Sequence, residues 1–247
     1  MKKKTVLITG SSKGIGLGIA QKLHHDGYKV ILNARKLESL KKASQTLGDA
    51  LHVQADLTNS EDIEKLKVYF EKNSIQLNAL VCNIGSGRSV PPGEEHLEEW
   101  QRVFDLNFFS TTNCIENLKP YFASQTSIVC ISSICGHESI IGAPITYSVA
   151  KAALNAYVKA IAYPLGKDGH RINAIEPGNI LFEGSVWEKK LSESPEQVQN
   201  MLKSLVPLTQ LGQPEDISEL TSYLISSKAK FATGSIFTID GGQTRSF

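Results

Sequence analysis

Short apolar runs alternate along the chain with longer segments of helical period. The runs fall at Thr5–Ile8, Lys29–Asn33, Leu51–Gln54, Ala79–Asn83, Ser127–Ser132, Arg171–Ile175 and Ser235–Ile239. Apolar runs separated by stretches long enough for a helix predict βαβ units and a parallel sheet. The expected fold is therefore α/β: one doubly wound, Rossmann-like sheet of about seven strands with helices on both faces, in a single domain over 1–247. Leu37, Leu40, Ala43 and Leu47 share one face of the helix after the second strand. Ser60 is placed to cap the next helix, whose buried face is Ile63, Leu66 and Phe70. Two segments, 96–122 and 144–165, are apolar nearly all round. The first carries Trp100, Val103, Phe104, Leu106, Phe108 and Phe109; the second carries Tyr147, Val149, Leu154, Tyr157, Val158 and Ile161. A helix without a polar face is covered on both sides. The sheet covers one side, and a second copy is expected on the other, as a homo-oligomer (dimer or tetramer).

Composition narrows the function classes. With 41% hydrophobic and 21% charged residues, the 247-residue chain can bury a full core and shows no disordered or fibrous bias. Lys+Arg total 26 against 25 Asp+Glu, a net charge of +1. That balance supplies no field for nucleic acid or an anionic membrane, so neither partner is expected. Cys82, Cys114, Cys130 and Cys135 form no C-x-x-C pair and have no His cluster at ligand spacing. No metal site is expected, and the four read as core thiols of a reducing compartment. Met1-Lys2-Lys3-Lys4 has the look of a signal-peptide start, but Val6-Leu7-Ile8 is too short an apolar run to follow it. A cytoplasmic location is the expectation.

Candidate chemistry begins at the end of the first strand. Thr9-Gly10-Ser11-Ser12-Lys13-Gly14-Ile15-Gly16 leads straight into a helix. Gly10 permits the tight turn, and Gly14 and Gly16 allow a pyrophosphate close to the backbone. The helix start offers that anion free N–H groups and a positive dipole end. In dinucleotide sites an acidic residue about twenty positions later selects NAD by accepting from the ribose 2′-OH. Here the second strand ends Asn33-Ala34-Arg35 without a carboxylate. Arg35 and Lys13 can instead meet a 2′-phosphate, so NADP(H) is the expected cofactor. Asp56 and Leu57 after the third strand are placed for the adenine end. Asn83 and Gly85 end the fourth strand, where open α/β sheets bind ligands.

Tyr147-Ser148-Val149-Ala150-Lys151 puts a phenol and an ammonium at i and i+4, on one helix face. The ammonium is expected to lower the phenol pKa and fit it to move protons near neutral pH. The same spacing recurs at Tyr163 and Lys167, where Pro164 and Gly166 should spoil the helix. Ser133 lies fourteen residues before Tyr147, close enough for a loop to bring its hydroxyl to the ring. Asn107, mid-helix, is an awkward residue there unless its side chain has a task.

These residues together resemble the compact, single-domain branch of the short-chain dehydrogenase/reductase family over essentially the whole chain. The resemblance implies hydride transfer between the cofactor and a small carbonyl or secondary-alcohol substrate, with a tetrad of Asn107, Ser133, Tyr147 and Lys151. In that scheme Tyr147 is the general acid/base and Ser133 orients the substrate oxygen. Lys151 holds the ribose hydroxyls, and Asn107 anchors a water. Pro177 and Gly178 after the sixth strand, with Ile180 through its backbone, would line the nicotinamide side. Ile84 departs from the usual Ala, and Phe182 replaces a Thr that commonly binds the carboxamide. Residues 181–206 would form a substrate lid, in which Trp187 stacks on substrate or packs the lid itself. An alternative is a 3-oxoacyl-[acyl-carrier-protein] reductase, but Ser124–Ser127 and Asp168 stand where basic carrier-docking residues are usual. A second alternative, from another class, is an NADP(H)-sensing regulatory protein without turnover, which a broken tetrad would favour.

Overall fold

The computed structural model describes residues 3–246; Met1 and Lys2 of the basic start, and Phe247, lie outside the described residues. Seven strands pair in parallel in the order β3-β2-β1-β4-β5-β6-β7. They are β1 (Thr5–Ile8), β2 (Lys29–Ala34), β3 (Leu51–Gln54), β4 (Leu77–Cys82), β5 (Phe122–Ile131), β6 (Arg171–Pro177) and β7 (Ile236–Ile239). The helices between them are α1 (Gly14–His25), α2 (Leu37–Thr46), α3 (Ser60–Lys72), α4 (Leu97–Phe104), α5 (Ser110–Leu118), α6 (Ile145–Lys167), α7 (Val186–Glu193), α8 (Pro195–Leu205) and α9 (Pro214–Ile225). The doubly wound α/β sheet expected from the sequence is the observed architecture.

A parallel sheet is covered on both faces, so its strands are apolar in both directions. Alternate residues of β1 show this: Leu7 joins one core with Leu66, Phe70, Leu80, Leu154 and Val158, while Val6 and Ile8 join the other with Ile19, Leu23, Leu40 and Leu224. Full burial of each such side chain is worth ~1.5–3 kcal/mol. A third, small cluster lies in the segment after β6, where Val198, Leu202 and Val206 pack with Trp187, Leu191 and Met201. The order of winding reverses between β1 and β4. The connections that leave the carboxyl ends of these two strands therefore run to opposite faces of the sheet and open a crevice there, the usual ligand position of open α/β sheets.

Several local expectations change. Asn59, not Ser60, caps α3, its side chain accepting from the Glu61 N–H. Leu37 is exposed, because it sits at the first helical position before the buried face of α2 begins. β5 starts at Phe122 rather than Ser127, since Phe122 pairs with Leu77 across a register shift and Thr126 Oγ1 donates to the Leu77 carbonyl at 2.7 Å. The segment 96–122 is not one helix. A π-helical turn over Asp105–Phe109 separates α4 from α5, and a 3₁₀ turn at Lys119–Tyr121 leads into β5. α6 does run unbroken to Lys167 with Pro164 inside it, so the sequence-based expectation of a spoiled helix there is wrong. Pro removes one N–H, and the surrounding turns hold the helix.

Candidate active site

The crevice is built first by the β1–α1 turn. Gly10 and Gly14 adopt φ of +63° and +58°, the left-handed region that favours glycine. A Cβ on Gly16 would lie 2.4 Å from both Asn83 Nδ2 and the Gly10 carbonyl, so only glycine fits. Asn83, just past β4, stitches the turn: its Nδ2 donates to the Thr9 and Gly10 carbonyls, and its N–H donates to Thr9 Oγ1 at 2.9 Å. Lys13 at the N-cap gives α1 no side-chain cap, and no acidic residue stands in the first turn, which opens with Gly14 and Ile15. Half-buried Ser12 lies beside these open N–H groups. Left-handed glycines and an uncapped helix start make a cradle that fits a pyrophosphate.

The specificity end lies beyond β2 and β3. Arg35 follows Ala34, and its Nη1 lies 3.6 Å from Asp56 Oδ2. The other Asp56 oxygen accepts from Thr58 N–H and Oγ1. The two residues assigned to opposite ends of an adenosine phosphate are thus close together, in an exposed pair of small energetic worth. Leu57 is buried in the core, so any ligand contact it makes is through its backbone. Lys13 Nζ is turned to the segment after β6: a Cβ on Gly184 would lie 3.3 Å from it.

On the other side of the crevice, Ser133, Tyr147 and Lys151 come together. Ser133 is just past β5; it caps a 3₁₀ turn at Ile134–Gly136, its Oγ accepting from the Cys135 N–H at 3.2 Å. Tyr147 and Lys151 lie in the first two turns of α6. Gly136 fixes the approach of turn and helix, since a Cβ there would lie 2.6 Å from the Lys151 carbonyl carbon. Lys151 is buried, its Nζ donating to the Ile131 carbonyl at 2.8 Å and lying 5.9 Å from the Tyr147 ring centre.

Electrostatics here depart from expectation. Burial pushes the Tyr147 phenol up to about 12, with the Ser133 hydroxyl pulling the other way. Burial also draws Lys151 down to about 8. The expected lowering of the phenol by Lys151 is absent in this state: desolvation dominates, and the ammonium is held on Ile131. Geometry does not separate this pair from its repeat, because Lys167 Nζ lies 4.6 Å over the Tyr163 ring, closer than in the first pair. Exposure does: Tyr163 is 72% exposed.

Asn107 occupies the middle of the π-helical turn and is fully buried. Its Oδ1 accepts from Ser86 N–H at 2.8 Å, and its Nδ2 donates to the Ser86 and Val103 carbonyls. Its amide therefore clamps the loop after β4. A Cβ on Gly85 would lie 2.9 Å from Asn107 Oδ1 and 3.1 Å from Lys151 Nζ, so Gly85 lets loop, helix turn and lysine converge. Sequence reasoning missed the outer tether of this loop. Ser89 Oγ donates to Glu99, Thr146 shares a hydrogen bond with Ser89, and Arg102 grips Glu99 with two nitrogens. The guanidinium and the hydroxyl hold the Glu99 carboxyl at about 2.

At the end of β6, Gly178 packs on the Asp240 backbone, and Pro177 closes the strand. Ile180 bridges to Gly212 through the peptide groups on either side of it rather than its own. Phe182 is the unexpected neighbour. Its ring lies on the glycine turn, where a Cβ on Gly14 would be 2.6 Å from it. Trp187 packs within the segment's own small cluster, with Lys190 Nζ 4.6 Å over its ring. Among the described residues no group of His, Cys, Asp and Glu could hold a metal ion, and no helix is long and apolar enough to cross a membrane.

A doubly wound sheet, a glycine-cradled crevice at the winding reversal and a Ser–Tyr–Lys cluster on its rim define an oxidoreductase of the dinucleotide-fold class. The family model described as enoyl-(acyl carrier protein) reductase matches residues 10–244. Glucose 1-dehydrogenase 2 of Bacillus subtilis is 32% identical over 252 residues, spanning 98% of this chain and 95% of its own. The 3-oxoacyl-[acyl-carrier-protein] reductase FabG of Staphylococcus aureus is 30% identical over 248 residues, 97% of each chain. The structure of L-sorbose reductase from Gluconobacter frateurii complexed with NADPH and L-sorbose superposes with a TM-score of 0.92 at 27% identity, covering 100% of this chain and 98% of that one. The chain belongs to the short-chain dehydrogenase/reductase family, oxidoreductases acting on CH–OH and C=O groups.

Proposed function

We propose that this protein is an NADPH-dependent carbonyl reductase that also runs in reverse as a secondary-alcohol dehydrogenase. The observation that carries the reading is the convergence of Ser133, Tyr147 and Lys151 beside a glycine cradle whose β2 end bears Arg35 and no carboxylate. Bound NADPH supplies the hydride. The chain's residues do the rest. Gly10, Ser12, Gly14, Ile15 and Gly16 seat the pyrophosphate on the α1 N-terminus, while Arg35 and Lys13 meet the 2′-phosphate. Asp56 and Leu57 line the adenine side. Asn83, Gly85, Pro177, Gly178 and the Ile180 backbone line the nicotinamide side. Ser133 Oγ holds the substrate oxygen against Tyr147, whose Oη gives its proton to that oxygen as hydride reaches the carbonyl carbon. Lys151 holds the ribose hydroxyls, and its charge steadies the phenolate left behind. Asn107, clamped on Ser86, fixes the loop at the far wall and anchors a water in the proton path.

In this reading residues 1–247 form one domain with a lid at about 181–206. The reaction takes place in the cytoplasm on a small carbonyl or alcohol substrate. Leu97, Phe109, Ile145, Val149 and Tyr163 are exposed on α4, α6 and the π-helical turn, apolar surface that a homodimer or homotetramer would cover. The resemblance to FabG keeps 3-oxoacyl-[acyl-carrier-protein] reduction as a second reading. Against it, an acidic residue, Asp168, stands at the expected docking point and pairs with Lys119 at 2.7 Å.

Thermal melts with excess NADPH and then NADH test the cofactor, since a ligand at a hundredfold excess over its Kd adds ~2.7 kcal/mol to the folded state. A larger shift with NADPH is expected; a larger shift with NADH refutes the Arg35 assignment. With the cofactor fixed, a panel of ketones tests turnover. Tyr147→Phe should abolish it with the NADPH Kd unchanged, and surviving activity refutes the acid/base role.

A further inference from the structure

A second polar cluster, away from the crevice, ties together the elements that carry the reacting groups. Glu176 is fully buried, one residue before Pro177 in β6, and is the strand's one carboxylate. One carboxylate oxygen accepts from Asn155 Nδ2, and the other accepts from Thr238 Oγ1 of β7 at 3.0 Å. His137 Nδ1 lies 3.5 Å from that second oxygen. Asn155 is one helical turn beyond Lys151 on α6, and its Nδ2 also donates to the Gly136 carbonyl at 3.3 Å. Gly136 and His137 are the end of the turn that Ser133 caps.

We propose that Glu176 is a positioning residue of the reductase site: its carboxylate draws Asn155 on α6 and His137 behind the Ser133 turn to one point on β6, and so keeps the Ser133 hydroxyl in register with Tyr147 and Lys151. The proposal rests on the reading of Ser133, Tyr147 and Lys151 as the reacting set. Its physical basis is donor–acceptor matching. Asn155 and Thr238 both donate to Glu176, an arrangement that suits an ionised carboxylate, which only accepts, and the His137 ring stands beside it at 3.5 Å. Asn155 Oδ1 is buried with no hydrogen-bond partner. A proton on Glu176 would find its acceptor there if the amide turned over, and the turned amide would release the Gly136 carbonyl. The groups facing this carboxylate are His137, Asn155, Thr238 and, farther off, Asp240, with Lys159 in the adjoining groove beside His137 and Asn155. Burial raises the Glu176 pKa, with Asp240 adding to it, while Thr238, His137 and Asn155 oppose. The strut therefore holds above the Glu176 pKa and slackens as pH falls through it.

Glu176→Gln keeps the shape and imitates the protonated acid, so its pair with a turned Asn155 is permanent. Three measurements on the purified protein test the idea. The kcat should fall about tenfold with the NADPH Kd unchanged, about the effect of one misplaced charge-assisted hydrogen bond. The acid limb of the wild-type kcat–pH profile should vanish in the variant. Cys135, the half-buried thiol of the Ser133 turn, should be labelled by an aromatic disulfide several-fold faster, with Cys82, Cys114 and Cys130 still protected. Asn155→Ala should raise Cys135 labelling to the same extent, and the double variant should add nothing further. Unchanged kcat, a retained acid limb, unchanged labelling or additive effects of the two substitutions would each overturn the proposal. Absence of wild-type turnover, or turnover surviving Tyr147→Phe, would refute the reductase reading instead; the labelling rates would then decide on the strut alone.

Discussion

Replacing Lys151 by Met should make the cofactor-free protein more stable near neutral pH while removing its activity. Lys151 is 2% exposed, and among the described residues no carboxylate lies within ion-pair distance of it. Burial lowers its pKa from 10.5 to about 8, a gap worth ~3 kcal/mol. The unfolded chain holds this proton more tightly between those two values, so stability rises with pH through that window and is lost as pH falls through 8. Met has a similar length and no charge to desolvate. It leaves the Ile131 carbonyl without the Nζ donor, at a cost of ~1–2 kcal/mol. The net gain near pH 7 is therefore ~1–2 kcal/mol, and near pH 10 it should vanish or reverse. Urea unfolding of both proteins at equal concentration, at the two pH values, gives the difference directly. Other titrating groups, Tyr147 among them, are common to both proteins and cancel. A wild type more stable than the variant near pH 7, or a difference that does not change with pH, would refute the reasoning.

Two further outcomes follow from the crevice. Arg35→Ala should weaken NADPH binding by ~1.5–3 kcal/mol and leave NADH nearly unaffected, read by titration of cofactor fluorescence; equal effects would mean that Arg35 stays with Asp56. Phe182→Ala removes the ring that lies on Gly14, so NADPH should bind about fivefold tighter, a gain of ~1 kcal/mol from a contact that no longer has to open. Unchanged or weaker binding would show that the ring and the cofactor do not compete.

The sequence made the frame legible because a parallel sheet writes itself as separated apolar runs, and the glycines at 10, 14 and 16 follow the first run without a gap. Boundaries failed where a partner outside the local sequence decides. Phe122 extends β5 because Leu77 lies across from it, and Asn59 displaces Ser60 because its side chain reaches the Glu61 N–H first. The π-helical turn leaves no mark on hydrophobic period; the one clue was an Asn in a helix interior. Tyr147 and Tyr163 are the same motif in sequence, and helix geometry does not distinguish them either. Burial does, and burial belongs to the whole fold. Glu176 had a signal, a carboxylate inside a buried strand, but its partners at 137, 155 and 238 are brought to it only by the winding of the sheet.

The place of β1 inside the sheet, between β2 and β4, also has a consequence for synthesis. Its second neighbour, β4, begins 69 residues after it ends, from Ile8 to Leu77. At ~5–20 residues per second on the ribosome, that gap lasts roughly 3–14 s. Through it the nascent chain offers β1, β2 and β3 with the inner edge of β1 open, a ladder of free peptide groups between apolar faces. Of the strands that end inside the finished sheet, β1 is thus the one longest exposed to wrong pairing while the protein is being made.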